Sequence, residues 1–132
     1  MIRARDWLAQ AERDLEHARW SAERGHHAWA CFAAQQSGEK AVKAALNALG
    51  REVRGHGIME LLGELSGLVE VPREAYDWAR VLDKHYIPTR HPNAYATGAP
   101  YQYYTEEDSR KAIEAAEKLL EFARRMVECE RG

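Results

Sequence analysis

Residues 27–49, HAWACFAAQQSGEKAVKAALNAL, decide the fold class of this chain. Apolar side chains recur at helical spacing along one stripe, and alanines cover a second surface of the same segment. The stripe consists of Phe32, Val42, Leu46 and Leu49. A helix that is apolar on more than one face is usually central and packed by several neighbours. The stretch therefore predicts the central helix of an all-α protein.

The middle of this stretch is polar, although it lies in an apolar helix. Gln35 and Glu39 fall on the apolar stripe, so we expect both side chains to be partly buried and hydrogen-bonded. Glu39 also precedes Lys43 by four residues, which is the favoured order for a helical ion pair. The central helix is thus predicted to carry a buried polar patch.

The rest of the chain predicts four further helices. Apolar residues at helical spacing mark segments 2–24, 58–68, 72 to before Pro88, and 105 to the end. Pro88 ends the fourth helix, because the residue before a proline disfavours the α region. Thr105-x-x-Asp108 has the pattern of a capping box at the start of the last helix. We expect an antiparallel bundle of about five helices, forming one domain over residues 1–132.

Composition narrows the class of protein. Nineteen Lys and Arg oppose 21 Asp and Glu, so a generally basic nucleic-acid coat is excluded, and no pattern is specific for DNA. No apolar run approaches the ~18 residues of a membrane span, and the first residues lack a signal peptide's apolar stretch. We therefore expect a cytoplasmic protein without membrane association. The histidines, Cys31 and Cys129 lack metal-ligand spacing, so no metal and no cofactor is expected.

The segment of residues 86–104 interrupts every helical period. Loops longer than about 12–15 residues are usually functional or disordered. Five of the six tyrosines lie in this segment, which favours an ordered loop. The tyrosines either pack the loop onto the bundle or a second subunit, or they stack on bases beside an arginine that binds phosphate.

Three strings resemble the HEPN (higher eukaryotes and prokaryotes nucleotide-binding) domain family. Residues 33–44 are similar to the family's Gln-Gln-x-x-Glu-Lys-x-x-Lys segment, and Gly55-His56-Gly57-Ile58 looks like the Gly-His segment that follows it. Residues 82–92, LDKHYIPTRHP, resemble the Leu-Asp-x-x-Tyr-Ile-Pro-Thr-Arg-Tyr-Pro motif of a small stand-alone branch. His91 replaces the tyrosine of that motif, so a role of this tyrosine is not carried over.

The resemblance implies a helical bundle that forms homodimers and a function beside a minimal nucleotidyltransferase, usually a separate small protein. Some relatives are toxins that cleave RNA without metal through an Arg-x4–6-His motif. Others are regarded as modules that bind nucleotides or substrates.

Three matches to the Arg-x4–6-His spacing occur here, which is no more than chance produces in a chain rich in both residues. They are Arg80–His85, Arg51–His56 and Arg19–His26. Five helical steps place Arg80 and His85 about 140° apart, so they converge only if the helix ends between them or across a dimer axis. In a ribonuclease, His85 or His91 would be the base, and Arg80 or Arg90 would bind the phosphate.

Three functions remain open at this stage, and a binding module is favoured. In it, Arg90 holds a phosphate beside Thr89, Tyr86 stacks on a base, and Lys40 adds positive charge. The module would act on a nucleotide or RNA as the partner of the nucleotidyltransferase, in a toxin–antitoxin-like pair. The alternatives are a metal-independent ribonuclease toxin and a dimeric adaptor whose loop docks the nucleotidyltransferase.

Overall fold

A computed structural model describes residues 3–131 and contains five α-helices with no strand in that range. The helices are α1 (Ala4–Glu23), α2 (His27–Ala48), α3 (Ile58–Ser66), α4 (Arg73–Asp83) and α5 (Glu106–Arg131). Two short 3-10 turns, Pro92–Ala94 and Pro100–Tyr103, lie between α4 and α5. The predicted all-α bundle is confirmed. Ile2, where the first helix was expected to begin, lies outside the described residues. None of the helices within 3–131 has both the length and the apolar character needed to cross a membrane.

Helix α1 runs antiparallel to α2 and to α5. A turn of three residues reverses the chain before α2, and Lys43 near the end of α2 lies over the ring of Trp7 near the start of α1. Two ion pairs join α1 to α5, Arg19–Glu117 and Glu12–Arg124. One residue number rises along this interface as the other falls, which is the signature of antiparallel packing.

Helices α2 and α5 run parallel to each other, and both are antiparallel to α1. His27 at the start of α2 bonds the Ser109 hydroxyl near the start of α5 at 2.9 Å. Ala48 at the end of α2 shares a buried cluster with Val127 near the end of α5. The direction is possible because the whole segment from α3 through residue 105 returns the chain to the starting end.

Helix α2 is the centre of the molecule, as its two apolar surfaces predict. All residues of α2 from Ala41 to Ala48 are buried. A Cβ added at Gly38 would lie 2.8 Å from a Leu82 methyl, 3.0 Å from Ile58 and 3.2 Å from Leu119. These three side chains belong to α4, α3 and α5, so Gly38 is the point where three helices meet α2.

The segment from 84 to 105 is a series of tight turns packed on the bundle. Tyr95 and Tyr103 stack with ring centroids 4.1 Å apart, and the Tyr103 hydroxyl donates to the Thr97 carbonyl. At its end, the Thr105 amide donates to the Asp108 carboxylate at 2.9 Å, which confirms the predicted capping box. Contacts within the segment thus hold its turns together.

Candidate functional site

The buried polar patch of α2 continues into the loop before α3. We call Gln35, Gln36, Glu39, Lys43 and His56 the α2 polar cluster. The Gln36 side chain donates to the Gln35 side-chain oxygen at 2.8 Å, and Gln35 Nε2 donates to the His56 carbonyl at 3.1 Å. Gln35 is fully buried, so these bonds satisfy an amide that would otherwise be costly in the core. The predicted burial of Gln35 and Glu39 is confirmed.

Glu39 is the acceptor at the centre of this cluster. Its Oε2 accepts hydrogen bonds from Lys43 Nζ at 2.9 Å and from His56 Nδ1 at 3.2 Å. The side chains of Glu39 and Lys43 are 5% and 9% exposed, whereas that of His56 is 62% exposed. A buried carboxylate therefore joins a buried ammonium group to an imidazole ring at the surface. The predicted Glu39–Lys43 pair is confirmed.

Asp83, the last residue of α4, fixes the loop that carries His56. Its two carboxylate oxygens accept hydrogen bonds from the amides of Ile58 and Met59, each at 2.9 Å. Both amides lie at the N-terminus of α3, where backbone donors lack helical partners and a carboxylate is favourable. The end of α4 thus positions the start of α3, and His56 lies two residues before it.

The turn after α4 stacks aromatic and cationic groups beside His56. The His56 and Tyr86 rings are stacked with centroids 5.3 Å apart and planes at 13°. The Arg90 guanidinium carbon lies 4.2 Å from the centroid of the Phe32 ring. Arg90 Nε and Nη2 both donate to the Tyr86 carbonyl, at 3.2 and 2.7 Å. Arg90 is therefore held against the turn, with Nη1 not used in those bonds.

Two concave surfaces lie along this face. A cavity of about 470 Å³ is lined by Trp7, Lys43, Arg54 and His56, together with other residues of the loop before α3. A groove of about 340 Å³ between α1 and α2 is lined in part by Trp29, Phe32, Gln36 and Lys40. Phe32 lines the groove and its ring also contacts the Arg90 guanidinium, so the groove adjoins the stack.

The residues predicted to bind a nucleotide are only partly brought together. Tyr86 and Arg90 lie in the stack described above. The Thr89 side chain is buried, and its hydroxyl donates to the His85 carbonyl at 2.7 Å, so it braces the turn from within. Lys40 lies in the groove, where its ammonium group contacts the Asp14 carboxylate at 2.5 Å.

The residues predicted as a catalytic pair occupy different environments. Arg80 is exposed on α4 and pairs with Asp77 at 2.7 Å. His85 lies beyond the end of that helix, as convergence requires, but it is 7% exposed and packs edge-on against Tyr104. Within one chain, the structure does not present these two groups to a single ligand. His91, the other predicted base, is exposed next to the first 3-10 turn.

Burial also sets the protonation of the groups around His85. Burial lowers the pKa of His85 to about 4, with a smaller contribution from Lys84. Its Nδ1 is buried without a hydrogen-bond partner. Burial likewise raises the pKa of the Cys31 thiol to about 12. Both groups are therefore neutral at physiological pH and suited to packing.

His56 is the residue that sequence reasoning did not select. Two sequence features pointed to His56: the Gly55-His56-Gly57 string and its spacing from Arg51. Two other Arg–His pairs match the same spacing rule, so this spacing did not single out His56. Its contact with Glu39 spans 17 residues and depends on the fold. Among the residues described, no group of three His, Cys, Asp or Glu side chains is placed to hold a metal ion.

Comparison with known proteins assigns the family. The HEPN domain matches residues 4–126. The structure of TT1696 from Thermus thermophilus has a TM-score of 0.92 and 45% identity, covering 96% of this chain and 99% of that one. The structure of ST0689, described as an archaeal HEPN homologue, has a TM-score of 0.81 and 43% identity over 96% and 99% of the two chains.

A curated relative carries a functional name. The Methanocaldococcus jannaschii protein named "Putative toxin MJ1304" is 28% identical over 130 residues, covering 89% of this chain and 84% of the relative. A HEPN domain protein from Thermotoga maritima, tm0613, has a TM-score of 0.77 and 35% identity, covering 93% of this chain and 98% of that one. The family match and the solved structures agree over nearly the whole length. This chain belongs to the HEPN domain family.

Proposed function

We propose that this protein binds RNA or a nucleotide on the face formed by α2 and the turns after α4. We further propose that it is the HEPN member of a toxin–antitoxin-like pair. Its partner is a separate minimal nucleotidyltransferase, and the protein acts as a homodimer in the cytoplasm.

The packing of aromatic rings with basic side chains along one face carries the binding proposal. Arg90 lies over Phe32 and His56 stacks on Tyr86, while the Lys43 ammonium group, which is buried and paired with Glu39, lies over Trp7. Surfaces that bind single-stranded nucleic acid combine positive groups that follow the phosphates with aromatic rings on which bases stack. Exposed Trp29, in the adjoining groove, extends the aromatic surface. The net charge of the chain is slightly negative, so the attraction for phosphate is local to this face.

The toxin-like role is supported by family membership and by the name of the Methanocaldococcus jannaschii relative. The nucleotidyltransferase partner and the homodimer come from the resemblance of the sequence motifs to the stand-alone HEPN branch.

A binding experiment tests the ligand face. Fluorescence anisotropy of a labelled 12-nucleotide RNA, with ATP and GTP as competitors, measures the affinity of wild type, Tyr86→Leu and Arg90→Lys. Arg90→Lys keeps the charge but loses the fork, which no single ammonium group replaces. We expect each variant to bind about 5- to 150-fold more weakly, as loss of one stacked ring or one charge-assisted contact costs about 1–3 kcal/mol.

Arg125→Gln is the matched control, since Arg125 is exposed on α5 and pairs only locally with Glu121. It should bind as tightly as wild type. The proposal fails if wild type binds neither RNA nor nucleotide, or if Tyr86→Leu and Arg90→Lys bind with unchanged affinity.

Assembly is tested separately. Light scattering after size exclusion should give twice the chain mass of 15.1 kDa, and a tagged protein expressed in its native host should co-purify with a nucleotidyltransferase. Co-purification without any RNA or nucleotide affinity would favour the adaptor interpretation over the binding module.

A further inference from the structure

The groove between α1 and α2 combines an exposed aromatic ring with half-buried polar groups. Trp29 is 58% exposed, and its ring meets that of Phe32 edge-to-face with centroids 5.5 Å apart. The side chains of Lys40 and Asp14 line the same groove and are 22% and 15% exposed. The groove volume of about 340 Å³ falls in the range of small-molecule sites. It therefore offers a stacking surface next to polar groups.

A chain of hydrogen bonds fixes the orientation of the Gln36 amide, which lines this groove. The His56 carbonyl can only accept, so the Gln35 nitrogen donates to it and the Gln35 oxygen faces Gln36. Gln36 Nε2 donates to that oxygen at 2.8 Å and also lies 3.4 Å from a carboxylate oxygen of Glu39. Because two acceptors hold the Gln36 nitrogen, the Gln36 oxygen is the atom that remains to accept a hydrogen bond from a ligand.

The ion pair in the groove supplies an acceptor on α1 and a donor on α2. The Asp14 carboxylate accepts from Lys40 and from Gln10, and its oxygens have further lone pairs. The Lys40 ammonium group has three hydrogens, of which the contact with Asp14 uses one. Because the two charges offset each other, the pair favours a neutral polar ligand group over a phosphate. Gln36 and Lys40 lie one turn apart on α2, so one planar ligand can reach both.

Two acceptors, one donor and an aromatic surface match one RNA base better than the others. Guanine has two adjacent donors, the N1–H and the 2-amino group, beside the acceptor O6. Adenine, cytosine and uracil each have one donor group on the same edge. A lysine that donates to guanine O6 or N7 is a recurrent contact in nucleic-acid recognition. Ser21 and His17 also line the groove, but each can donate or accept and so does not discriminate between bases.

We propose that the groove between α1 and α2 is a subsite that selects guanine; this inference rests on the RNA- or nucleotide-binding function proposed above. The base stacks on Trp29, and its O6 accepts a hydrogen bond from Lys40. Its N1–H and 2-amino groups donate to the Asp14 carboxylate and the Gln36 oxygen. The groove adjoins Arg90, whose Nη1 is not used in its bonds to the turn, and this nitrogen contacts the phosphate.

The test compares ligands that differ in one base. Fluorescence anisotropy measures the Kd of a labelled 12-nucleotide oligouridine with G, inosine, A or C at its sixth position. We expect the G-containing RNA to bind about 5- to 150-fold more tightly than the A- or C-containing RNA, the range for one bidentate base contact. Inosine lacks only the 2-amino group of guanosine, so its RNA should bind with intermediate affinity. Unlabelled GMP should compete at least about fivefold better than AMP.

Three variants, checked for folding by thermal unfolding, separate base selection from structure. Gln36→Met removes the acceptor at similar length, so the preference for G over A should fall below about threefold with the affinity for the A-containing RNA unchanged. A merely structural role would weaken both RNAs equally. Trp29→Leu should weaken both by about fivefold or more, because both bases lose their stacking surface. Trp20→Leu is the matched control, since Trp20 is 55% exposed on α1 and does not line this groove; it should bind as wild type does.

A guanine preference in the RNA series assigns the subsite to a strand, and one seen with GMP alone assigns it to the free nucleotide. The inference is overturned if wild type binds all bases within about threefold of one another or prefers another base, or if Gln36→Met keeps the full preference for guanine. Each of these results leaves the proposed binding function standing. If wild type binds neither RNA nor nucleotide, the proposed function fails and this inference fails with it.

Discussion

His56 and His85 each follow an arginine by five positions, yet the fold treats them in opposite ways. His56 precedes α3, its side chain is 62% exposed, and a buried carboxylate holds its Nδ1. His85 follows α4, is 7% exposed, and has a buried Nδ1 without a partner. The same sequence spacing thus produces one histidine exposed at the surface and one packed in the interior.

The difference teaches that the environment of a histidine depends on the partners that the fold brings to it. The buried Glu39 carboxylate lies 3.2 Å from Nδ1 of His56, whose side chain is 62% exposed. Around His85, the nearest charged groups are Lys84 and Asp108, and neither is a hydrogen-bond partner of its ring. Three sets of substitutions test this comparison. They are given in order of the expected change in the free energy of unfolding, from the buried Lys43–Glu39 pair to a methyl group added at Gly38.

The largest effect is expected from Lys43→Met in the His56 region. This change leaves the buried Glu39 carboxylate without its ammonium partner, and breaking a buried pair from one side typically costs about 3–5 kcal/mol. Urea unfolding followed by circular dichroism at pH 7 measures the free energy of unfolding. In the control, Arg125→Met removes the exposed pair with Glu121 and should cost less than about 0.5 kcal/mol. A loss below about 1 kcal/mol for Lys43→Met would show that the polar cluster does not depend on this pair.

The second effect is an acid sensitivity that arises from His85. Its pKa is about 4 in the folded protein, against an ordinary value of 6.5, because burial disfavours the charged ring. Between these two pH values the imidazole of His85 is therefore protonated in the unfolded chain and neutral in the folded protein. The stability due to neutral His85 is complete above pH 6.5 and is lost as the pH falls toward 4, by roughly 3 kcal/mol in total.

The matched variant is His85→Leu, which removes the titrating ring but keeps an apolar side chain. Urea unfolding of both proteins at pH 7.5 and pH 4.5 separates this histidine from the carboxylates, which titrate in both. Wild type should lose about 2–3 kcal/mol more than His85→Leu between the two pH values. Equal losses in the two proteins would mean that His85 is not held neutral by burial.

The smallest change in stability is expected for alanine substitutions at two helical glycines, Gly38 in α2 and Gly63 in α3. In Gly38→Ala the new methyl group meets Leu82 at 2.8 Å and Ile58 at 3.0 Å. Overpacking costs about 1–3 kcal/mol, and improved helix propensity returns about 1. We expect Gly38→Ala to destabilise by about 1 kcal/mol. Gly63→Ala in α3, where nothing lies within 4 Å, should instead stabilise by up to about 1 kcal/mol. Thermal unfolding of both variants checks the signs, and a stabilised Gly38→Ala would contradict the close packing at this point.

Local patterns predicted the helices and the buried polar patch. Helical spacing, the capping box at Thr105 and the position of Gln35 and Glu39 on an apolar stripe are all encoded within a few residues. The glycines that follow α1 and α2 could be anticipated in the same way, because a helix commonly ends at a glycine in the left-handed conformation. Gly25 and Gly50 adopt φ of +80° and +81°.

The arrangement of the candidate site could not be predicted from local sequence patterns, because its contacts join distant parts of the chain. Asp83 caps α3 across 25 residues, and His56 reaches Glu39 across 17. Thr89 in the predicted loop and His85 just before it were candidate ligand-contacting residues, but both side chains are buried. The parallel direction of α2 and α5 likewise depends on how the intervening segment packs.

The central claim, that His56 faces the ligand and His85 does not, is tested most directly by observing both rings at once. A long-range proton–nitrogen spectrum of the imidazole groups resolves the six histidines, with His56→Gln and His85→Leu assigning the two signals. Titration with a 12-nucleotide RNA should shift the His56 signals and leave those of His85 unchanged. Shifts at His85 with His56 unaffected would contradict the account.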